Sequence, residues 1–450
     1  MKKSILLISL LLINLAGLQA QYQPIYIESF QLGTDLSLVK AILDNNGVYK
    51  YENAPGDVFS IFKEGGYNYV RLRLFHTPNM DESYGTVNSL EYTLALAAQV
   101  KASGFKLLLD FHYSDTWADP GNQEIPAAWN GLTFNTLQDS LYQYTKRVLN
   151  IFAAAGLRPD MVQTGNEINN GMLWPHGQAW INGKPNYISL ASLLKSASKG
   201  VRESSGGNTI PIMIHAATGG SKNDSRNFYD SLLKYDLEFD VIGLSFYPCW
   251  HGTLVDLEEN IQFLNQQYSQ SIMVVETSYQ AEGTPPDYCV LSEEELPFPF
   301  TQQGQTDYLQ AIYNLLQPYD NVKGLYYWGG EYIWAGDIGG SWSSLFHWQG
   351  NAYQAITALK GFMPTSVNEP FNQKHIQLSV IDQSVYVNLN PTINGQVIAE
   401  LFNLSGVLLQ QEKMGRGHYL LEIPNVPKGL YVMRFTFQQG FTESHLLAVP

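Results

Sequence analysis

MVQTGNE, residues 161–167, and IMVVE, residues 272–276, are two short apolar runs that each end at a glutamate. Their composition predicts buried β-strands. Burial of a carboxylate without a partner is unfavourable, so Glu167 and Glu276 are poorly placed for stability. In a (β/α)8 barrel, however, the C-terminal ends of the strands form the active site. In such a barrel the two glutamates would be well placed for chemistry, as a pair of carboxyl groups at the catalytic face.

Six more runs of this kind complete a set of eight that ends near residue 330. The eight runs are Ile27–Leu36, Tyr69–Phe75, Lys106–Phe111, Met161–Thr164, Ile210–His215, Val241–Tyr247, Ile272–Glu276 and Gly324–Trp328. Segments with helical spacing lie between most of them, for example Leu90–Ser103 and Leu137–Ala155. Because alternating strands and helices build a parallel sheet, we predict the α/β class, with a (β/α)8 TIM barrel over residues 21–363.

The composition changes at residues 363–370, MPTSVNEP, and we interpret residues 364–370 as a linker. Beyond the linker, apolar and polar residues alternate with period two, which is typical of half-buried strands. We predict a small antiparallel β-sandwich domain over residues 371–450. Its strands are expected at Ile376–Val380, Val385–Asn390, Val397–Phe402, Tyr419–Ile423, Leu430–Phe437 and Glu443–Ala448.

The overall charge excludes some classes of partner. The 450-residue chain has a net charge of −15. This argues against nucleic acid and against an anionic membrane surface, which both favour basic patches. A neutral substrate is compatible with it. All nine tryptophans lie between Trp117 and Trp348, and flat rings that stack on sugars would explain those that core packing does not need.

The N-terminus predicts export. Two lysines and an apolar run over residues 5–18 are typical of a cleaved signal peptide, which we place at residues 1–20. The run is too short for a transmembrane segment. We expect an exported monomer, either periplasmic or at or beyond the cell surface. Export would permit a disulfide between Cys249 and Cys289, and two buried free thiols are the alternative.

The chemistry is predicted at the strand ends. Two carboxyl groups about 5–5.5 Å apart can act as nucleophile and as acid, then base, in glycoside hydrolysis. Asn166, beside Glu167, could bind the 2-hydroxyl of a sugar. Arg71, or else Arg73 on the same face of its strand, could keep the nucleophile Glu276 ionised. Structural ion pairs of the two glutamates are the alternative.

Further polar and aromatic residues follow other strands. Tyr247 could orient Glu276 through a hydrogen bond, and Trp328 could form the floor under the reacting sugar. The remaining candidate substrate-binding residues are His112, Asp115, Trp117, Asp119 and Trp250.

Binding of a metal ion is the alternative role for such residues. His112, His215 and His251 could converge, but there is no His-x-His pair, so we predict no catalytic metal and no cofactor requirement. A structural calcium ion at residues 293–295, EEE, is possible. The run lacks the alternating Asp/Asn pattern of a calcium loop, which favours a solvated acidic face.

At these residues the chain resembles the family 53 glycoside hydrolases, the endo-β-1,4-galactanases. The resemblance covers residues 27–359 and is carried by GTDLS at 33–37, NYVRLR at 68–73, HYSDTWADPGNQ at 112–123, TGNEINNG at 164–171, LSFYPCWHG at 244–252 and VVETSY at 274–279. It implies a retaining mechanism, with Glu167 as acid/base and Glu276 as nucleophile. It also implies cleavage inside β-1,4-galactan, a neutral side chain of pectin, to galacto-oligosaccharides.

The chain departs from the family's pattern in two loops. Where the family tends to have Trp-Glu-Pro after the eighth strand, this chain has Trp328-Gly329-Gly330-Glu331. The loop after the seventh strand lacks the Asp-rich calcium motif of some bacterial members. The C-terminal domain resembles the small sorting-type β-sandwiches of exported Bacteroidetes proteins. The competing hypotheses are an enzyme for another glycan, such as mannan, xylan or β-glucan, and a glycan-binding protein without catalysis.

Overall fold

The structure is a computed structural model. It describes residues 22–361 and, in the C-terminal part, residues 376–381, 384–389, 396–403, 407–414, 418–422, 426–427, 429–437 and 442–449. The signal peptide predicted at 1–20 and the linker predicted at 364–370 lie outside the described residues. Across the described ranges, no helix is long and apolar enough to cross a membrane.

Eight parallel strands close into a barrel, which confirms the predicted fold class. The strands are β1 Gln31–Asp35, β2 Tyr69–Leu74, β3 Lys106–Phe111, β4 Met161–Thr164, β5 Ile212–Ala216, β6 Val241–Ser245, β7 Ser271–Thr277 and β8 Val322–Tyr327. The barrel closes where β1 pairs with β8, with Gly33 opposite Tyr326. A Cβ atom on Gly33 would lie 2.0 Å from the Tyr326 ring, so this contact requires glycine.

Nine α-helices lie between the strands in residues 22–361. They are α1 Val39–Asp44, α2 Val58–Glu64, α3 Leu90–Ala102, α4 Phe134–Ala154, α5 Tyr187–Arg202, α6 Lys222–Leu233, α7 Pro248–His251, α8 Leu254–Gln267 and α9 Gln302–Leu316. Five of them begin after a hydroxyl side chain that accepts a hydrogen bond from a free backbone N–H of the first turn. These capping residues are Ser89, Thr133, Ser221, Thr253 and Thr301.

The chain after β8 differs from the regular pattern. Between β8 and residue 361 it forms only a short 3-10 helix, Gln354–Thr357, where a regular barrel would have its eighth α-helix. Two-residue antiparallel ladders in the loops pair Lys50–Tyr51 with Ala54–Pro55, Gly171–Met172 with Gly177–Gln178, and Trp180–Ile181 with Lys184–Pro185.

The barrel interior changes from apolar to polar along the strands. Its apolar floor is formed by Ile27, Tyr69, Leu108, Met161, Met213, Val241, Met273, Val275 and Tyr326. Alternate residues of a strand share one face. Two residues further along β2, β3, β4 and β5, the inward positions are therefore Arg71, Asp110, Gln163 and His215, all of them buried. The fold thus places a polar layer directly below the C-terminal rim.

The C-terminal part forms two antiparallel sheets, as predicted. One contains β9 Ile376–Ile381, β10 Ser384–Leu389 and β13 His418–Glu422, and the other β11 Val397–Asn403, β12 Leu408–Met414, β14 Gly429–Phe437 and β15 Thr442–Val449. Alternate residues are buried along β11 and β14, including Val397, Ala399, Met433 and Phe435. The sequence analysis missed β12. Most of its residues are exposed, so it lacks the apolar alternation that marked the other strands.

Candidate active site

Arg71 is the centre of the polar layer, and its side chain is 1% exposed. Its acceptors are Glu276 Oε1 and Asn166 Oδ1 at 2.8 Å, Asp110 Oδ2 at 2.9 Å, Gln163 Oε1 at 3.2 Å and Asp35 Oδ2 at 3.3 Å. A guanidinium has five N–H donors, and these five acceptors match them. Burial lowers the pKa of Arg71, but the surrounding carboxylates outweigh it and raise the pKa above its usual value. The predicted contact between Arg71 and Glu276 is present.

Glu276 points into the barrel because β7 contains one extra residue. Leu244 of β6 pairs with Val274, but the next residue, Ser245, pairs with Glu276. Val275 belongs to the interior floor, whereas the Thr277 hydroxyl contacts Tyr308 of α9, outside the barrel. In a regular strand, residues 275 and 277 would share a face and Glu276 would point outward. The bulge reverses this and directs Glu276 inward.

Two donors hold the Glu276 carboxyl group. Arg71 contacts Oε1 at 2.8 Å, and the Tyr247 hydroxyl donates to Oε2 at 2.7 Å, as the sequence analysis expected. Burial raises the pKa of Glu276 above its usual value, but Arg71 and Tyr247 both lower it and so oppose this effect. The donor pair therefore favours the ionised form of Glu276.

Glu167 follows β4 in a left-handed turn, with φ of +48°, after Gly165 at φ of +94°. The Ser245 hydroxyl donates to its Oε1 at 2.6 Å. Ser245 lies 2.8 Å from His215 Nε2. The backbone N–H of Glu167 donates to His215 Nδ1 at 3.3 Å, and the Gln163 amide nitrogen lies 3.0 Å from the same atom, so two donors favour the ring hydrogen on Nε2. Burial lowers the pKa of His215 well below its usual value, so this ring is neutral.

The two carboxyl groups differ in charge state. Burial, with the nearby Glu276, raises the pKa of Glu167 to about 8. Across residues 22–361, no Lys, Arg or His makes a salt bridge to Glu167, in contrast to the Arg71–Glu276 contact. Such a pair is expected to hold one proton, and the environments place that proton on Glu167. A protonated carboxyl group therefore faces an ionised one across the barrel mouth.

Asn166 and His112 are placed at the site but are engaged within the protein. The Asn166 side chain accepts from Arg71 and donates to the backbone carbonyl of Ala118 at 2.8 Å. His112 Nδ1 accepts the N–H of Ala118 at 3.1 Å, and its Nε2 lies 3.0 Å from Asp110 Oδ2. Both ring nitrogens of His112 thus have protein partners. The two side chains shape the loop over residues 112–123.

The two aspartates of that loop have different surroundings. Asp115 accepts the N–H of Thr77 at 2.9 Å with Oδ1 and that of Ala127 at 2.8 Å with Oδ2. It thus joins two loops, a role that the sequence analysis did not anticipate. Asp119 accepts the N–H of Gly121 at 2.7 Å with Oδ1 and lies near enough to Glu167 to raise its pKa. Of the two, Asp119 is the one near the carboxyl pair.

Trp117 and Trp328 lie together, with ring centroids 6.3 Å apart. The indole N–H of Trp117 donates to the backbone carbonyl of Tyr84 at 2.9 Å. The guanidinium of Arg73 lies 4.3 Å from the Trp117 ring centroid and 3.4 Å from Asp35. Arg73 therefore supports a tryptophan, whereas Arg71 contacts Glu276. Both rings are partly exposed, as an aromatic wall of a sugar-binding cleft requires.

Trp250 lies on α7, which begins directly after Tyr247. It is exposed and stacks on Tyr288 from the loop after β7. A disulfide joins Cys249 to Cys289, which resolves the two alternatives for the cysteines.

Glu331 is a further buried carboxyl group, in the loop that departs from the family pattern. Burial, with the nearby Asp35, raises its pKa to about 8. Its Oε1 accepts the N–H of Leu38 at 3.3 Å.

Residues 293 and 294 of the acidic run are exposed, and Glu295 accepts the N–H of Ser292. Across the described ranges, no three His, Cys, Asp or Glu side chains form a group that could hold a metal ion.

The sequence analysis missed several members of the site. Asp35, Gln163 and Ser245 were not proposed, and His215 was considered only as a metal ligand. Asp110 ends the apolar run LLLD, so the signal that identified the two glutamates could have found its contact with Arg71 as well. Ser245 gives no such signal, because its role depends on the pairing of β6 with the bulge in β7.

A (β/α)8 barrel with two carboxyl groups in different surroundings at the C-terminal ends of its strands is the arrangement of a glycoside hydrolase. Comparison with known protein families shows which family of glycoside hydrolases it is. The model of glycosyl hydrolase family 53 matches residues 31–361, and the chain belongs to this family.

Similar proteins cover the same region. An uncharacterized protein of Niallia circulans is 38% identical over 353 residues, which are 74% of this chain and 94% of that protein. A probable arabinogalactan endo-beta-1,4-galactanase A of Aspergillus fumigatus is 34% identical over 73% of this chain and 92% of its own length. The solved family 53 catalytic domain of Ignisphaera aggregans is 35% identical, with a TM-score of 0.67, over 75% of this chain and 98% of that domain.

Proposed function

We propose that this chain is a retaining endo-β-1,4-galactanase that cleaves β-1,4-galactan side chains of pectin to galacto-oligosaccharides. The observation that carries the proposal is that the two carboxyl groups have hydrogen-bond partners of different charge. Arg71 and Tyr247 hold Glu276, whereas a neutral hydroxyl, that of Ser245, contacts Glu167. This supports Glu276 as nucleophile and Glu167 as proton donor.

The position of Ser245 supports retention. Ser245 is the in-register partner of Glu276 on the neighbouring strand, and its hydroxyl lies 2.6 Å from Glu167 Oε1. Neighbouring strands are about 4.8 Å apart. The two glutamates are therefore neighbours, and Glu276 is near enough to raise the pKa of Glu167. Retaining enzymes need such close carboxyl groups, whereas inverting enzymes need about 6.5–9.5 Å to admit a water molecule between them.

The reaction then has two steps. A carboxylate oxygen of Glu276 attacks the anomeric carbon while Glu167 gives its proton to the departing glycosidic oxygen, so that a glycosyl ester on Glu276 forms and the leaving sugar is released. Glu167, now ionised, takes a proton from water, and the water oxygen attacks the same carbon. This breaks the ester, restores both carboxyl groups and releases a sugar of unchanged anomeric configuration. No cofactor takes part in either step.

The substrate proposal rests on the site and on the relatives. A cleft walled by Trp117 and Trp328 on a chain with a net charge of −15 suits a neutral polysaccharide. The name of the Aspergillus fumigatus relative supports β-1,4-galactan as that polysaccharide. We also propose export through the segment at residues 1–20, since a polymer of this kind must be met outside the cytoplasm.

The test is hydrolysis by the purified protein of β-1,4-galactan and, separately, of mannan, xylan and mixed-linked glucan. We expect short galacto-oligosaccharides from galactan alone by chromatography. Proton NMR during the first minutes should show the β-anomer of the new reducing end, as retention requires. Initial α-anomer would contradict retention, and cleavage of another glycan would contradict the substrate. Binding of galactan without products would favour the binding-protein hypothesis.

A further inference from the structure

Two large aromatic side chains form an exposed stack beside the candidate site. The rings of Trp250 and Tyr288 lie 4.5 Å apart with an interplanar angle of 18°. Although the rings cover each other on one side, Trp250 is 59% and Tyr288 is 53% exposed. Adjacent exposed apolar side chains, unlike scattered ones, can mark an interaction site. The stack therefore requires a functional explanation.

The disulfide holds the two rings together. Cys249 immediately precedes Trp250 on α7, and Cys289 immediately follows Tyr288 in the loop after β7. The backbone N–H of Val290 also donates to the carbonyl of Cys249 at 2.9 Å. These two links join loops that are 40 residues apart in the sequence. The stacked geometry is thus fixed before any ligand arrives, which reduces the entropy lost on binding.

A recess borders both the stack and Tyr247, the hydrogen-bond donor to Glu276. It has a volume of about 70 Å³ and is lined by residues that include Tyr247, Trp250, Tyr288, Ser278 and Gln280. Tyr247 donates to Glu276, and Ser278 follows Glu276 by two residues. The recess therefore adjoins the place where bond cleavage is proposed. Its hydroxyl and amide groups can bind sugar hydroxyls, while the rings offer an apolar face.

We propose that Trp250 and Tyr288, held by the Cys249–Cys289 disulfide, form a sugar-binding subsite for a residue of the polysaccharide chain beyond the two sugars that the cleaved bond joins. The inference rests on the proposed function and adds Tyr288 and the disulfide to the substrate-binding surface. A galactose unit has both an apolar face, which suits the rings, and hydroxyl groups, which suit Ser278 and Gln280. The subsite contributes to binding of long substrates and not to the chemical step.

The first experiment compares Tyr288→Ala with the wild-type protein on galactan and on galacto-oligosaccharides of increasing length. We expect KM to rise about 2- to 12-fold, the range for loss of an aromatic contact, while kcat stays within about twofold. The rise in KM should occur only for oligosaccharides long enough to reach the stack. Tyr288→Phe should keep the wild-type KM because it retains the ring.

Tyr26→Ala is the matched control. Tyr26 is 63% exposed and contacts Lys323, at the opposite end of the barrel, so this variant should leave KM unchanged. The Cys249→Ser/Cys289→Ser double variant should raise KM less than Tyr288→Ala, since the rings remain but are no longer fixed. An unchanged KM in Tyr288→Ala, or an equal rise in Tyr26→Ala, would overturn the inference. Absence of wild-type cleavage of galactan would instead contradict the proposed function.

Discussion

The ends of β4 and β7 present two glutamates to one cleft by different means. At β4 the chain turns through left-handed backbone at Glu167, and the partner of its carboxyl group is the hydroxyl of Ser245. At β7 a bulge directs Glu276 inward, where Arg71 and Tyr247 hold it. Burial raises the pKa of both groups, but only Glu276 has a cation in direct contact. The partners of each carboxyl group, and not its burial, therefore distinguish the proposed acid from the proposed nucleophile.

Glu276→Gln should have the largest effect, because it removes the proposed nucleophile. We expect kcat on galactan to fall by about 10⁴-fold or more, the scale seen when a covalent nucleophile is lost. Binding of galacto-oligosaccharides, measured by calorimetry, should persist. Glu293→Gln, at an exposed position of the following loop, is the control and should retain wild-type turnover. Turnover of Glu276→Gln within tenfold of the wild type would reassign the nucleophile.

Glu167→Gln should rank second. Glutamine can still accept the hydrogen bond from Ser245 but cannot donate the proton, so hydrolysis of galactan should fall about 10²- to 10⁴-fold. An aryl glycoside with a good leaving group does not need that proton, and formation of the glycosyl ester from it should be largely preserved. The measurement is the release of the aryl group in a burst. Equal loss on both substrates would show that Glu167 is not the proton donor.

Tyr247→Phe tests the donors at Glu276 without a change of shape. Loss of a hydrogen bond to a charged group should lower kcat/KM about 10- to 150-fold. The Tyr247 hydroxyl lowers the pKa of Glu276, so its removal raises that pKa. Because the nucleophile must be ionised, activity is lost as pH falls through this pKa. The acidic limb of the pH profile of kcat/KM should therefore move to higher pH. A limb that does not move would mean that Tyr247 has no part in keeping Glu276 ionised.

Ser245→Ala should have the smallest effect, with a loss of about 2- to 12-fold in kcat/KM, the range for a neutral donor. Glu167 must be protonated, so activity is lost as pH rises through its pKa of about 8. The Ser245 hydroxyl lowers that pKa, and its removal should move the alkaline limb to higher pH. The two substitutions thus shift opposite limbs of the pH profile of kcat/KM. A shift of the alkaline limb to lower pH would contradict the proposed role of Ser245.

The fold was predictable where burial leaves a local pattern. The eight apolar runs marked the eight barrel strands, and the prediction of β3 and β4 was correct to the residue. The predicted strands β1 and β6 were too long. Ile27 belongs to the barrel floor before β1 begins, and Tyr247 is the residue that precedes α7. The exposed strand β12 had no apolar alternation to reveal it.

The site was predictable only in part, because some of its contacts join residues that are distant in the sequence. Composition identified Glu167, Glu276 and Arg71, since a charged residue in an apolar run is conspicuous. The role of Asp115 depends on the N–H groups of Thr77 and Ala127, which are distant in sequence and carry no signal in their side chains. The orientation of Glu276 depends on a bulge, and strict alternation from Met273 would have directed its side chain toward the helices.

The bulge in β7 also constrains how this chain can change. A substitution at Val275 preserves the number of residues between the barrel floor and Glu276, so the carboxyl group keeps its direction. Loss of the bulge without loss of a residue would place Val275 opposite Ser245 and rotate every later side chain of the strand to the opposite face. The amino-acid composition would then be unaltered, yet the cleft would lose a carboxylate. Deletion of Val275, in contrast, would leave Glu276 opposite Ser245, so a one-residue gap at this position in an alignment of related chains does not by itself turn the carboxylate away.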